Sequence, residues 1–123
     1  MGVVSGKIKT NNKEIRVRLS YILFEDGGQT VVYCPALDVY GYGADEREAK
    51  ESFKVCMSEF FKYTLNKKTF EDVLSQLGWQ KKSKKYTPPL FSNLLSKNKT
   101  LSEILNTRPF KKVDTSVPMP AFA

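Results

Sequence analysis

The chain contains no histidine. That absence removes Ser-His and Cys-His nucleophile pairs, imidazole acid–base pairs for RNA cleavage and the usual zinc ligand. Cysteine is scarce, with Cys34 and Cys56 alone. Two isolated cysteines without histidine do not make up the ligand set of a structural zinc site. Both are expected as buried free thiols, Cys34 in a strand and Cys56 on the apolar side of a helix. No stretch approaches the ~18 apolar residues of a membrane span. Met1-Gly2-Val3-Val4-Ser5 lacks the basic-then-apolar layout of a signal peptide. A cytoplasmic location with no membrane partner is therefore expected. No catalytic, cofactor-binding or metal-ligating motif is present, so a role other than catalysis is expected.

What is there fits one small globular domain with a short appended segment. The 123 residues are 41% hydrophobic and 27% charged, ordinary values for such a chain. The net charge of +7 is unevenly placed. Residues 1–79 carry 11 Lys+Arg and 11 Asp+Glu, whereas residues 80–123 carry 9 Lys+Arg against Glu103 and Asp114. Five of the six prolines also fall in this last third. We divide the chain accordingly into an α+β domain at 1–86 and a basic, Pro-interrupted segment at 87–123 with at most short helices.

Apolar periodicity sets the elements. Ile15, Val17, Leu19 and Tyr21 alternate with Glu14, Arg16, Arg18 and Ser20, the pattern of a half-buried strand. Ile22-Leu23-Phe24 is apolar on both faces, as where a second covering layer begins. Glu25-Asp26-Gly27-Gly28 is a turn, and Thr30–Cys34 a returning strand. Lys7–Thr10 and the Asn11-Asn12 turn are a candidate earlier strand. Pro35 ends the second strand or sits at its edge. Val39–Tyr42 is a third strand with Gly41 and Gly43 on one face, leaving room for the following helix to lie close. Asp45 caps that helix and Glu48 completes a capping box. Ala49, Phe53, Cys56, Met57, Phe60 and Phe61 form its apolar stripe. A short helix is expected at 70–77, capped by Thr69 and stopped by Gly78. Gln80–Tyr86 reads as a lysine-guarded edge strand. Two short apolar clusters follow at 90–95 and 101–105, the second opened by a Thr100–Glu103 capping box. Arg108–Ala123 is extended and polyproline-like.

The order hairpin, strand, amphipathic helix, with Cys34-Pro35-Ala36-Leu37-Asp38 at the corner, resembles the HicB-type antitoxin family. The matching residues are Val32, Tyr33, Cys34, Pro35, Leu37, Gly41, Gly43, Asp45, Glu48 and Ala49, within residues 14–65. The resemblance implies a degenerate RNase H-like fold: a small antiparallel sheet, one long helix packed on it and a further strand, without a full set of catalytic carboxylates. It implies a cognate partner, a small RNA-cleaving toxin of HicA-like type, and a homodimer or higher oligomer. The chain departs from the family pattern after about residue 65. Its end offers only a minimal helix-turn-helix across 91–106 for DNA.

Two sets of contact residues follow. Asp38, Asp45, Glu46 and Glu48 are the candidate toxin contacts, because a basic RNA-binding surface is blocked by acidic groups. Lys81, Lys82, Lys84, Lys85, Tyr86, Lys97, Lys99, Arg108, Lys111 and Lys112 are the candidate DNA or RNA contacts, since phosphates need clustered cations and bases stack on aromatics. A metal-dependent nuclease would draw on Asp26, Asp38 and Glu48. No cofactor is implied.

Overall fold

The computed structural model describes residues 14–82 and 85–120; the candidate strand at Lys7–Thr10, the Asn11-Asn12 turn and Lys84 lie outside them. β1 (Glu14–Asp26) and β2 (Gln29–Cys34) form a hairpin. Gly27 and Gly28 join them at φ +58° and +83°, a turn that only glycine adopts without a Cβ penalty. β3 (Val39–Gly43) returns antiparallel to β2. Then come α1 (Glu46–Asn66), α2 (Phe70–Gln76), β4 (Gln80–Lys82), β5 (Lys85–Thr87), α3 (Phe91–Lys97), α4 (Lys99–Thr107) and β6 (Phe110–Pro120). The fold is α+β, with one long helix on a four-stranded antiparallel sheet of order β3-β2-β1-β6.

β6 changes the expected picture of the C-terminal segment. Instead of irregular chain, residues 110–120 all pair with β1, from Glu14↔Pro120 to Phe24↔Phe110. The two sides of residues 86 and 87 thus share one sheet. Val117 and Met119 reach the core, and the prolines at 118 and 120 are tolerated because β6 is an edge strand. The lysine-rich run at 80–86 is likewise not an edge of this sheet. β4 and β5 pair instead as a separate two-stranded ribbon, with Lys81 opposite Tyr86.

Both faces of the sheet are covered. Under α1 lie Val17, Leu19, Tyr21, Leu23, Val32 and Cys34, against Ala49, Phe53, Met57 and Phe61. On the opposite face Ile22, Phe24, Val31 and Tyr33 pack beneath Leu101 and Ile104 of α4, with Phe91 and Leu94 alongside. This second layer is why Ile22-Leu23-Phe24 is apolar on both sides. Each buried side chain of this size contributes roughly 1.5–3 kcal/mol.

Gly41 and Gly43 set the distance between sheet and helix. A Cβ on Gly41 would stand 2.5 Å from the Ala49 carbonyl oxygen, and one on Gly43 would stand 2.5 Å from the Ala49 nitrogen. The helix backbone occupies the space a side chain would need. Asp45 caps α1 by accepting from Glu48 N–H at 2.9 Å, and the Glu48 carboxylate accepts from Ala44 N–H at 2.9 Å.

Four local expectations are corrected. Cys56 is exposed; it flanks the stripe, and Thr64 is buried instead. Thr69 does not cap α2 with its side chain, because its hydroxyl turns back to Thr64 O. Asn98, rather than the Thr100–Glu103 pair, caps α4 by accepting from Leu101 N–H at 3.0 Å. The joint between α3 and α4 is Asn98 alone, shorter than a helix-turn-helix joint, and α4 buries its apolar side on the sheet. Gly78 does stop α2: at φ +97° it lets Trp79 N–H reach Leu74 O and its own N–H reach Ser75 O.

Candidate functional site

The corner at 34–38 is buried except for Asp38 and is tied to distant parts of the chain. Leu37 N–H closes a turn on Cys34 O at 3.3 Å. Asp38 ends the turn at φ +57°, a left-handed conformation that Asp tolerates better than most residues. Tyr33 donates its hydroxyl to Asp38 Oδ1 at 3.1 Å and accepts from Asn98 Nδ2 at 2.8 Å. The Tyr33 ring stacks on Tyr40 with centroids 4.3 Å apart. On the other side Trp79 Nε1–H donates to Ala36 O at 2.7 Å. Two later junctions, α2–β4 through Trp79 and α3–α4 through Asn98, therefore clamp one turn.

Burial sets the chemistry here. Desolvation pushes the Cys34 thiol up to about 12, so it is protonated and inert at neutral pH. Burial also raises Tyr33, with Asp38 adding to the rise and the Asn98 bond opposing it. Beside the corner opens a cleft of about 860 Å³, lined among others by Tyr33, Asp38, Pro88, Lys97, Asn98 and Lys99. A second groove of about 490 Å³ runs beside α1, with Arg16, Lys50 and Lys54 around Tyr21, Phe53 and Met57.

The acidic candidates do not form one patch. Asp38 stands at one end of β3, and Asp45, Glu46 and Glu48 stand beyond the other. Asp45 and Glu48 are occupied as caps. Glu46 accepts from Lys111 at 3.3 Å and pairs with Lys50 at 3.4 Å, and these partners, Lys111 first, hold its carboxyl below the ordinary range.

The basic candidates are also dispersed, and four of them, Lys81, Arg108, Lys111 and Lys112, are paired within the chain. Lys81 bridges to Glu71 at 3.3 Å and lies over Tyr86, which is itself buried. Arg108 holds Asp26 at 3.3 Å and Glu25 O at 3.0 Å over the Phe24 ring. Lys112 meets Asp114 at 2.9 Å and lies 5.0 Å above the Phe91 ring. Lys82 and Lys85 take their places in the ribbon. Lys97 and Lys99 line the cleft.

The nuclease trio is not assembled. Asp26 and Asp38 lie beyond opposite ends of β2, and Glu48 is in α1. Among the described residues no group of three or more His, Cys, Asp or Glu gathers as a metal site requires. No described helix is long and apolar enough to cross a membrane.

Sequence reasoning missed Asn98 and the full role of Trp79. Their partners lie 65 and 43 positions away along the chain, and no local pattern announces such bonds. No family model, curated protein or solved structure matches the chain.

Proposed function

We propose that this chain is a non-catalytic binding protein of the HicB antitoxin type, acting in the cytoplasm to bind and neutralise a small RNA-cleaving toxin. One observation carries the reading: the residues that make up the resemblance belong to one connected piece of structure. Pro35 and Leu37 are buried in the corner. Gly41 and Gly43 lie under the helix at Ala49, and Asp45 with Glu48 starts that helix. Asp38, exposed at the corner and lining the cleft, is the acidic group we assign to meet a basic partner. The partner would be the product of a small basic reading frame beside this one, carrying a histidine. Co-expression is expected to give a complex that survives purification and silences RNA cleavage. Failure to form a complex at about 1 μM, a binding free energy near −8 kcal/mol, overturns the reading.

Lys97 and Lys99 favour a second reading, DNA or RNA binding, because they stand on the cleft with no internal ion pair among the described residues. Removing the whole basic segment is an unsuitable test, since it also removes β6. The double variant Lys97→Glu/Lys99→Glu is the better one. This reading expects salt-sensitive nucleic-acid binding that the variant abolishes; equal binding by both proteins rejects it.

A further inference from the structure

The two edges of the main sheet differ. β3 is short, and its Tyr42 N–H donates to Ser52 Oγ of α1 at 3.1 Å. Among the described residues β6 has no such cover. A strand turns its backbone groups alternately to either side, and a proline inside an unbroken ladder must face its nitrogen away from the partner strand. Pro118 lies opposite Arg16, and pairing continues to Pro120. The even-numbered residues from Phe110 to Ser116 therefore direct their N–H and C=O groups outward. Among the described residues one hydrogen bond reaches these groups, from Arg16 Nη2 to Ser116 O at 3.2 Å. An open edge of this kind is a template for another strand.

The side chains along the edge select the occupant. We propose that β6 pairs antiparallel with β6 of a second copy of this chain, about a two-fold axis at Val113. Lys112 of each copy then lies opposite Asp114 of the other, and the two Val113 side chains meet on the α1 face. Opposite charges and β-branched residues are favourable cross-strand partners. Neighbouring registers are worse. An axis at Lys111 or Lys112 opposes lysine to lysine, and one at Asp114 opposes two carboxylates. An axis at Thr115 places Pro118 opposite Lys112 and loses a ladder donor. Lys112 and Asp114 are already 2.9 Å apart within one chain, so the paired edges gather four charges of alternating sign. The sheet would run continuously through both copies. This inference is independent of whether a toxin is the ligand.

Sedimentation equilibrium of the full chain across the micromolar range tests it, and the average mass is expected to approach twice that of one chain. A monomer throughout overturns the proposal. Lys112→Glu makes the edge wholly acidic and Asp114→Lys makes it wholly basic. Each variant alone is expected to weaken self-association at least about tenfold, and an equimolar mixture is expected to restore it, because opposite charges then face each other. Either variant dimerising like the parent, or a mixture of two folded variants staying monomeric, overturns it. Lys112→Pro removes an outward N–H without touching the β1 ladder. It is expected to be a folded monomer by circular dichroism, and a folded dimer rejects the β6 edge as the interface.

Discussion

At the scale of single residues, the corner concentrates what is unusual about the chain. Trp79 supplies the donor for the buried Ala36 carbonyl. Trp79→Phe keeps an aromatic ring there but leaves that carbonyl unsatisfied. The expected cost is about 1–3 kcal/mol, read as a lower urea midpoint; an unchanged midpoint would show that the ring alone matters. The two thiols also divide. Cys34 is enclosed and held protonated by desolvation, and Cys56 is exposed. A thiol reagent at pH 8 is expected to modify one cysteine per folded chain and two in denaturant; labelling of both in the folded state would contradict the burial of Cys34. The residue roles legible in advance were those with short-range signatures, such as Asp45 with Glu48 three positions on. The Tyr33–Asn98 and Trp79–Ala36 bonds were not, because only the closed fold brings those atoms together. The ion pairs of Lys111 with Glu46 and of Arg108 with Asp26 were hidden for the same reason, since the partners lie far apart in sequence.

At the scale of elements, the packing of α1 on β3 decides the geometry. Gly41→Ala would drive a methyl group into the helix backbone at Ala49 and Phe53. Overpacking against backbone costs about 3 kcal/mol, and a markedly lower melting temperature is expected. Gly28→Ala makes a useful contrast. Nothing lies within 4 Å of its Cβ, and the strain comes from a φ of +83° alone, so a smaller loss is expected. If Gly41→Ala melts like the parent, the helix is less tightly seated than its contacts imply. The hairpin, the glycine strand and α1 were readable because period-two and period-3.6 patterns are strong over those spans. β6 was harder to see. Val113, Val117 and Met119 alternate correctly, but Pro118 and Pro120 mask the pattern, and a proline-bearing strand is acceptable only at an edge. The lysine ribbon failed for a different reason: pattern alone does not distinguish one strand from two short ones that pair with each other.

At the scale of the whole molecule, the raised groups fix the pH profile. Burial raises Cys34, Tyr33, Tyr40 and Tyr86 above their ordinary values of 9.0 for the thiol and 10.0 for the phenols. The fold therefore favours their protonated forms. That contribution is complete below the unfolded values and is lost as pH rises through the folded ones. Thermal midpoints are expected to hold steady through neutrality and to fall above about pH 9; a midpoint unchanged at pH 11 would contradict the burial of these groups. On the acid side, Asp114 is lowered by Ser20 and Lys112, and Glu46 by Lys111 and Lys50. Their contributions are present above the ordinary carboxylate values and fade below them, and full exposure keeps them small. The pairing of β1 with β6 also has a kinetic consequence. The first hairpin closes between residues 26 and 29, whereas the nearest β1–β6 contact joins residues 24 and 110. Closing the longer loop costs about 3 kcal/mol more chain entropy. A growing polypeptide would thus hold a three-stranded intermediate with the outer side of β1 bare until residues 110–120 have emerged from the ribosome, and the interval before β6 docks is when the protein is most prone to misassembly.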